Sequence, residues 1–294
     1  MITTSDFCKK EYGEKLYKIS FDAGFSCPNR DKTLGQGGCI FCSQGGSGDF
    51  AVRVNDDVLS DPALLEASIA NAKSRVAGKF KGDKYIAYFQ AFTNTYADLD
   101  TLKKVYLPIA SRDDISVISI ATRPDCISEE TFGFLEELNR IRPVWVELGL
   151  QTVSEESIKY IRRGYETSVY DNAVKRLNSI GIHTITHVIL FLPNETKEDM
   201  LNTVKHVVNA GSKGIKLQLL QVLKGTDLAL DFEKNPFYIP TLDEYADMLK
   251  SCLSVLPEDM VVHRLTGDPP KKLLIAPLWA ANKKRVINTL NNKL

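Results

Sequence analysis

Strand-like and helix-like segments alternate along almost the whole chain. The predicted strands cover residues 15–22, 85–91, 115–123, 144–152, 183–191, 214–222 and 260–265. Helical periodicity covers 56–80, 98–112, 128–142, 154–163, 169–180, 197–210 and 241–256, with Asp61-Pro62 as an internal helix start. Strands separated by helices of this length imply right-handed βαβ units and a parallel sheet. Six or seven such units suit an open α/β barrel better than a doubly wound sheet.

Polar residues on the predicted strands indicate a lumen that holds a ligand. In the strand at 144–152, Glu147 and Gln151 share one face and apolar residues occupy the other. Lys18 and Ser20 alternate with apolar residues in the same way. A parallel sheet buried on both faces would be continuously apolar. The inner face of the predicted barrel is therefore polar on several strands.

The length and composition fit one barrel domain with a short extension. The chain has 294 residues, a size that α/β barrels reach as a single domain. We divide it into a barrel at 1–256 and a C-terminal extension at 257–294, and 225–240 resembles a linker. No apolar run reaches the roughly 18 residues of a membrane helix. Because the N-terminus is polar, without the apolar core of a signal peptide, we expect a cytoplasmic protein with reduced thiols.

The charge is balanced overall but not along the chain. The formal net charge is +0, which does not indicate a nucleic-acid binder. From residue 271 onward, however, there is no acidic residue and there are six basic ones, with Trp279 among them. Such a segment could bind phosphates and stack on a base. A helix with a solvated lysine face explains the same pattern, and the sequence leaves both interpretations open.

Three cysteines gather in the glycine-rich loop after the first long strand. Their spacing is Cys27-x11-Cys39-x2-Cys42. Three thiolates can hold three irons of a [4Fe-4S] cluster and leave one iron open. The loop follows the C-terminal end of a strand, the face at which barrel enzymes place their chemistry. A structural zinc site with Cys8 as the fourth ligand is the main alternative, while a disulfide is disfavoured in a reducing compartment.

Several motifs together resemble a known family. They are 25–31 and 37–42 around the cysteines, then 88–95, 122–126, 147–152, 214–217 and 274–279. In this order they resemble the YhcC/YtqA-type radical S-adenosylmethionine (SAM) family, which is related to the elongator catalytic subunit and to HemN. The segment 47–51 is similar to the YtqA-type subgroup.

The resemblance implies a partial (β/α)6-type TIM barrel with a short C-terminal extension. It also implies one [4Fe-4S] cluster held by Cys27, Cys39 and Cys42, whose open iron is chelated by the amino and carboxylate groups of SAM. The implied activity is reductive cleavage of SAM to a 5′-deoxyadenosyl radical, which takes hydrogen from a substrate in the lumen. An electron donor such as flavodoxin or ferredoxin is then needed.

The resemblance also implies the residues that contact SAM. Gln90 and Thr93 are the side chains within reach of the SAM amino group. Gln151 and Arg163 resemble a Gln and Arg pair that binds SAM in HemN-like relatives, and an arginine fork suits a carboxylate. His187 stands where those relatives place an acid near the SAM ribose. A surface arginine on a helix is the alternative for Arg163.

Two further charged residues are candidates with structural alternatives. Arg123 follows the third long strand beside the site, and an ion pair with Asp125 would be equally ordinary. Glu147 points into the lumen, where an unpaired carboxylate would be costly. We expect it to meet Lys18 or SAM, with a purely structural pair as the alternative.

The chain departs from the family pattern at two places. The family often has Arg-Gly-His where this chain has Arg163-Gly-Tyr165. It often has Gly-Leu-Pro-Gly-Glu where this chain has Phe191-Leu-Pro-Asn-Glu195. Because glycine permits backbone conformations that other residues rarely adopt, we expect a changed backbone at the end of the fifth long strand.

The resemblance suggests a substrate. YtqA-type members are associated with the tRNA wobble uridine, at which a 5-carboxymethylaminomethyl group becomes 5-aminomethyl. We therefore expect a tRNA anticodon loop as partner, held in part by the basic C-terminal segment and Trp279. Radical chemistry on a small metabolite is a second hypothesis, and a zinc-stabilised RNA-binding module is a third.

Overall fold

The computed structural model describes residues 1–35, 37–46, 48, 51–80 and 82–294. The strands are β1 (Ile2–Thr3), β2 (Tyr17–Asp22), β3 (Val52–Arg53), β4 (Tyr85–Phe89), β5 (Ile115–Thr122), β6 (Val144–Gln151), β7 (His183–Leu190), β8 (Gly214–Leu219), β9 (Val222–Leu223), β10 (Val261–Arg264) and β11 (Leu274–Ala276). The helices are α1 (Thr4–Tyr12), α2 (Asp56–Ser60), α3 (Pro62–Ser74), α4 (Leu99–Ala110), α5 (Glu129–Ile141), α6 (Glu155–Tyr160), α7 (Thr167–Ser179), α8 (Lys197–Asn209), α9 (Asp227–Lys234), α10 (Leu242–Leu253) and α11 (Lys283–Lys293).

The strands form a parallel half-barrel. Within the described residues, nine of them make one sheet in the order β1-β10-β8-β7-β6-β5-β4-β2-β3, and every pair in it is parallel. The six central strands, β2 and β4 to β8, are the six long strands that the sequence predicts. β3 lies at one edge and β1 at the other, so the barrel is open on one side. The predicted partial α/β barrel is confirmed.

The two faces of the sheet differ as the alternation predicts. The apolar residues of β6, such as Val146 and Leu148, are fully buried and pack in the main core with residues of the surrounding helices. Glu147, Gly149 and Gln151 face the lumen instead. Pleating places successive side chains on opposite faces, so the same strands supply both the core and the site.

A separate apolar cluster lies in the barrel around Trp145. Its buried members are Cys8, Leu16, Ile86, Val117, Trp145 and Ile185, with Phe7 and Tyr12 of α1 packed against them. Helix α1 begins at a capping box in which Thr3 and Asp6 satisfy each other's backbone groups. The sequence analysis did not identify this helix, which covers the cluster.

Two predicted segments differ in detail from the structure. The helix predicted at 56–80 divides into α2 and α3, and the predicted internal start is confirmed because the Asp61 side chain caps α3 at Pro62. The prediction of a linker at 225–240 is wrong, since α9 forms there behind a Thr226 cap. Leu228 of that helix is fully buried, so packing explains a segment whose composition suggested a loop.

Residues 257–294, which we propose as an extension packed on the barrel, are joined closely to it. β10 pairs with β8 in parallel, and β1 pairs with β10. Val286 and Leu290 of α11 belong to the main core. In the described part of the chain, no helix combines the length and apolar character that a membrane crossing requires.

Candidate active site

The lumen of the half-barrel is a cavity of about 1410 Å³. It is lined by the inner faces of the central strands, by the cysteine loop and by residues of the C-terminal segment. Sites for single drug-sized ligands usually measure roughly 300–1,000 Å³. The cavity therefore has room for a nucleoside-sized cofactor together with a second molecule.

The three predicted cysteines lie together at the cavity. Cys27, Cys39 and Cys42 all line it, and their thiols are free. The Cys42 amide donates to the Cys39 carbonyl at 2.9 Å, which makes the tight turn that brings this pair to one side of the loop. The loop thus presents three sulfur ligands to one space, as the spacing predicts.

Two neighbouring side chains donate to the sulfur atoms. Asn29 Nδ2 lies 3.5 Å from Cys39 Sγ and also donates to the Arg162 carbonyl at 2.7 Å. Arg30 Nη1 lies 3.4 Å from Cys42 Sγ. Donors aimed at sulfur stabilise a thiolate and tune a bound cluster. The sequence analysis quoted both residues within a motif but assigned them no role.

This donor set fits an iron–sulfur cluster better than a single metal ion. Burial raises the pKa of Cys39 to about 11, and the neighbouring Cys42 adds to the effect. A bound cation favours the thiolate over the thiol. Three thiolates suit a cluster that offers a separate iron to each of them.

The other cysteines lie elsewhere. Cys8 is fully buried on α1 in the apolar cluster around Trp145, so it is not available as a fourth ligand for zinc. Cys252 is fully buried in the main core. Cys126 lines a second, smaller cavity beside the Arg123–Asp125 pair. Burial raises the pKa of each of these three thiols. The zinc hypothesis thus loses its proposed fourth ligand.

Three of the predicted SAM contacts, Gln90, Thr93 and Gln151, line the same cavity as the cysteines. Gln90 and Thr93 follow β4, and the Thr93 amide donates to the Ser26 carbonyl, next to Cys27. Gln151 ends β6 with a left-handed φ of 65°. A Cβ on Gly149 would lie 2.5 Å from Gln151 Nε2, so the Gln151 side chain packs directly over this glycine.

Arg163 does not have the predicted role of binding a carboxylate. Its side chain is buried, and all of its N–H groups are already used. They donate to the carbonyls of Leu150, Thr152 and Tyr165 and to the Thr167 hydroxyl. A guanidinium has five donors, and these contacts occupy them all. Arg163 therefore fixes the end of β6 to the following loop, and the prediction of a SAM fork is wrong for this conformation.

Arg123 forms the ion pair that the sequence analysis gave as its alternative. Its Nε and Nη2 atoms donate to the two Asp125 carboxylate oxygens at 2.9 and 2.7 Å, and Nη1 donates to the Arg163 carbonyl. It nevertheless lines the cavity, and its guanidinium lies 4.9 Å from the centre of the Tyr165 ring. Arg163 lies 4.6 Å from the same ring. Tyr165, which stands where the family often has histidine, is thus in contact with both arginines.

The loop at the end of β7, where this chain departs from the family pattern, has two residues with left-handed backbone. Phe191 and Asn194 have left-handed φ values of 62° and 67°, although neither is glycine. Asparagine tolerates this region, whereas phenylalanine adopts it only when the surroundings enforce it. The Phe191 ring lies 6.3 Å from the Tyr245 ring, and its amide is within 3.2 Å of Met200 Sδ. Packing around Phe191 therefore accompanies a backbone conformation that phenylalanine rarely adopts.

A cluster of polar side chains around the buried Glu147 carboxylate, which we call the Glu147 cluster, crosses the lumen. Its members are Lys18, Tyr88, Ser119, Glu147, His187 and Lys216. One Glu147 oxygen accepts from Lys18 Nζ and Ser119 Oγ, each at 2.8 Å. The other accepts from His187 Nε2 at 2.7 Å and from Lys216 Nζ. Of the partners that the sequence analysis considered for Glu147, Lys18 is thus present, and His187 lies beside Glu147.

Lys216 was not predicted as a site residue. Its side chain is 3% exposed, and Nζ also donates to the Tyr88 hydroxyl at 3.1 Å. Lys18 and Lys216 lie 4.4 and 4.5 Å from the centre of the Tyr88 ring, within cation–π range. A charged residue inside the apolar strand 214–222 is the signal that identifies it, because a buried lysine needs a partner.

Burial and mutual attraction set the charges of the cluster. Burial alone would raise the pKa of Glu147, but Lys18, Lys216 and His187 outweigh it and hold that pKa well below its usual range. Burial, reinforced by Lys216, lowers the pKa of His187 to about 4, so this imidazole is neutral near pH 7. Burial also lowers the pKa of Lys216 to about 7, against the opposing effect of Glu147.

Trp279, predicted to stack on an RNA base, packs inside the protein instead. Its indole N–H donates to the Pro240 carbonyl at 2.9 Å, and its ring lies 5.8 Å from the Tyr245 ring. The lysines around it behave differently. Lys271, Lys272 and Lys283 are exposed and line the cavity.

An open parallel α/β barrel with three cysteines at its lumen defines a class of enzymes that use an iron–sulfur cluster and SAM. Residues 33–207 match the family model of the Radical SAM superfamily, and residues 212–294 match that of the Radical SAM C-terminal domain. The chain belongs to the radical SAM superfamily. It is therefore a radical SAM enzyme, and its cofactors are a [4Fe-4S] cluster and SAM.

The relatives support this assignment over nearly the full chain. YtqA of Bacillus subtilis is 41% identical over 286 residues, covering 97% of this chain and 87% of that protein. YhcC of Escherichia coli is 32% identical over 275 residues, covering 93% and 85%. The tRNA uridine(34) acetyltransferase of Methanocaldococcus infernus is 23% identical over 168 residues, 56% of this chain and 31% of that protein. The predicted YhcC/YtqA-type family is confirmed, and most of the subgroup motif at 47–51 lies outside the described residues.

Two solved structures share the fold. The archaeal Elp3 of M. infernus, with its N-terminus deleted, superposes with a TM-score of 0.65 at 15% identity and covers 100% of this chain and 64% of that chain. The coproporphyrinogen III oxidase HemN of E. coli has a TM-score of 0.56 at 16% identity and covers 81% and 52%. These similarities establish the barrel, whereas the function of this site rests on its own residues.

Proposed function

We propose that this enzyme modifies the wobble uridine of tRNA, converting a 5-carboxymethylaminomethyl side chain to 5-aminomethyl. The observation that carries the proposal is the charge around the cavity. Its described lining includes ten Lys or Arg side chains and two Asp or Glu side chains. A polyanionic substrate that must insert one base into the lumen accounts for both the charge and the size of the cavity.

The exposed basic residues form a rim at the open side of the barrel. We call this set, Arg75, Lys79, Lys271, Lys272 and Lys283, the basic rim. Arg75 and Lys79 lie near β3, which forms one edge of the sheet. The three lysines follow β10, which lies near the opposite edge. Basic side chains on both sides of an opening suit a nucleic-acid strand whose phosphates pass across it.

The relatives add support for an RNA substrate. The M. infernus relative is named for uridine 34 of tRNA, which is the wobble position. Its likeness to this chain covers about half of the chain at low identity, so the basic rim carries more weight. A small metabolite would use the lumen but would not explain why exposed basic side chains lie on both sides of its opening.

Different residues of the chain have different roles in the proposed reaction. Cys27, Cys39 and Cys42 hold the cluster, while Asn29 and Arg30 donate to its sulfur ligands. When bound, the cluster and SAM would supply a 5′-deoxyadenosyl radical that takes one hydrogen atom from the carbon between the amine and the carboxylate. Loss of a second electron to the oxidised cluster and addition of water to the resulting imine would then release the 5-aminomethyl group and glyoxylate. We propose that Gln90, Thr93, Arg123, Gln151 and His187 hold SAM against the cysteine loop. The apolar cluster around Trp145 and α1 keep water from one end of the lumen.

The reaction needs one electron for each cleavage, so the proposal includes a donor such as flavodoxin or ferredoxin. We place the enzyme in the cytoplasm, where such donors and tRNA meet and where thiols remain reduced.

The test is an anaerobic assay with defined tRNA. The iron-reconstituted enzyme, SAM and dithionite are incubated with tRNA that carries 5-carboxymethylaminomethyluridine, and the wobble nucleoside is identified by mass spectrometry after digestion. We expect 5-aminomethyluridine. A Lys271→Glu/Lys272→Glu variant should lose tRNA affinity by tenfold or more, since each lost phosphate contact lowers binding.

The matched control reverses two neighbouring charges outside the cavity. Lys284→Glu/Arg285→Glu lies on the exposed face of α11 and should retain most of the affinity. An unchanged wobble nucleoside, from enzyme that does produce 5′-deoxyadenosine, would overturn the tRNA proposal in favour of a small metabolite.

A further inference from the structure

The Glu147 cluster lies deep in the lumen rather than at its mouth. Lys18 is four residues before the end of β2, and Glu147 is four residues before the end of β6. At about 3.3 Å per residue, this separates the cluster from the strand ends by about 13 Å along each strand. The cysteines are at the strand ends, so SAM bound there places its amino acid part at the mouth. The cluster faces whatever enters beyond SAM.

The cluster has a surplus of positive charge. Lys18 and, when protonated, Lys216 supply two ammonium groups against the one carboxylate of Glu147, and a bound anion beside Lys216 would favour its protonated form. Tyr88 adds no negative charge because burial raises its pKa, and His187 adds no positive charge because burial lowers its pKa to about 4. Arg264 adds a cation at the cavity wall, and its partner Asp268 is shared with Lys283. A buried cation without a full counter-charge is costly, and a bound anion removes that cost.

Glu147 itself has no capacity left for a ligand. Its two oxygens accept four hydrogen bonds, from Lys18, Ser119, His187 and Lys216. A carboxylate has about four lone-pair sites, so these are filled. The side chain therefore holds the two lysines in position, and a substrate group meets the lysines instead.

Both lysines keep donors for a ligand. Within the described part of the chain, Lys18 Nζ donates one hydrogen bond and Lys216 Nζ donates two. An ammonium can donate three, which leaves three donors on the pair. Both side chains line the cavity, and the Tyr88 ring lies within 4.5 Å of each nitrogen. The two cations thus flank one aromatic face.

We propose that Lys18 and Lys216 form a subsite for the carboxylate of the substrate side chain. The ligand class is a carboxylate carried on a short secondary amine, as in the 5-carboxymethylaminomethyl group. The inference rests on the proposed function and deepens it, because it explains how the enzyme selects a uridine that carries the group to be removed. The carboxylate would complete the charge balance of the cluster, and its attached carbon would then lie between the lysines and SAM.

The test compares RNA binding without turnover. Anticodon stem-loops carrying 5-carboxymethylaminomethyluridine or 5-aminomethyluridine are titrated into the reconstituted enzyme with SAM and no reductant. We expect wild-type enzyme to prefer the carboxylate RNA by about tenfold or more, since hydrogen bonds to charged groups are the strong ones. Lys18→Met and Lys216→Met should each reduce this preference to about twofold or less, and Lys18→Arg should keep it.

Two controls separate recognition from folding. Lys272→Met removes a cation from the basic rim and should weaken both RNAs by the same factor. If Lys216→Met alone fails to fold because it leaves the buried Glu147 carboxylate without one of its cations, the double variant Lys216→Met/Glu147→Gln is used. This double variant removes the cation and the anion together. A carboxylate preference that survives in every folded lysine variant would overturn the subsite while leaving the tRNA proposal intact.

A second readout does not depend on RNA. With 15N-labelled lysine side chains, N-methylglycine should shift the Lys216 Nζ resonance, whereas N-methylglycinamide should not. If the wild type binds neither RNA yet shows this shift, the tRNA proposal fails and the carboxylate subsite stands. The absence of a shift at saturating N-methylglycine, together with equal binding of the two RNAs, would refute the subsite.

Discussion

Glu147 organises the polar interior of this barrel more than any other residue. It is 1% exposed, yet it is ionised because two ammonium groups and two further donors surround it. Burial of a carboxylate in this way is stabilising only when all its acceptors are used. The same contacts fix the positions of Lys18 and Lys216, so the geometry of the lumen depends on one side chain.

Lys216 should titrate far below an ordinary lysine. Its pKa is lowered to about 7, mainly by burial, and Glu147 opposes that shift. We expect NMR of labelled lysine side chains to show a midpoint near 7 in the wild type and a lower midpoint in Glu147→Gln. Lys18, Tyr88, His187 and Arg264 also face the group, but none carries negative charge near pH 7.

The same pKa shift determines how the contribution of Lys216 to stability depends on pH. Between pH 7 and 10.5 the unfolded chain holds the lysine proton and the folded protein does not, so the contribution of Lys216 to the free energy of unfolding rises with pH. A midpoint near 10 for the Lys216 resonance would show a solvated side chain and would contradict the buried cluster.

For single residues, the sequence motifs predicted where the side chains lie better than they predicted what the side chains do. The three cysteines, Gln90, Thr93 and Gln151 all line the cavity, as their strand ends predict. The role of Arg163 could not be predicted, because its hydrogen bonds are to backbone carbonyls that only the folded loop brings together. The lysine within an apolar strand indicates that Lys216 has a buried partner, but the sequence does not show that this partner is Glu147 on a strand 69 residues away.

At the scale of elements, alternation of apolar and polar residues identified all six central strands within a few residues. Some elements were not identified or were misread from the sequence. These elements are short, or they depend on partners that are distant in the sequence. β1 has two residues and pairs only with β10, and α9 is stabilised by the packing of Leu228. Such contacts are made across the fold and leave little periodic signal in the sequence.

Removal of the last 38 residues should prevent folding. A chain ending at residue 256 loses β10, which exposes the edge of β8 and leaves β1 unpaired. It also loses Val286 and Leu290 from the core. An exposed edge of a parallel sheet promotes aggregation. We expect the truncated chain to be insoluble or to lack cooperative unfolding when it is monitored by circular dichroism.

A milder truncation is the matched comparison. Ending the chain at residue 282 removes α11 but keeps β10 and β11, so it should remain folded with a reduced free energy of unfolding. A stable, cooperative 1–256 fragment would contradict this account and would show that the barrel is independent of its extension.

Across the whole molecule, the open half-barrel separates three functions along one cavity. The cysteine loop lies at the strand ends, the Glu147 cluster lies deep in the lumen, and the basic rim lies at the open side. The superfamily assignment makes this a radical SAM enzyme, and we propose the cysteine loop as the place of its SAM chemistry. The other two are the parts of the molecule that we propose select the substrate.

The measurement that tests the central claim most directly is SAM cleavage by cysteine variants. Reconstituted wild-type enzyme with SAM and dithionite should bind about four irons per chain and form 5′-deoxyadenosine, with tRNA added in a parallel sample. Cys39→Ala should lose both. Cys126→Ala is the control, because this thiol lies beside the site but lines the second cavity, and it should keep both. Iron content and 5′-deoxyadenosine formation that persist in Cys39→Ala would contradict the assignment of the cysteine loop.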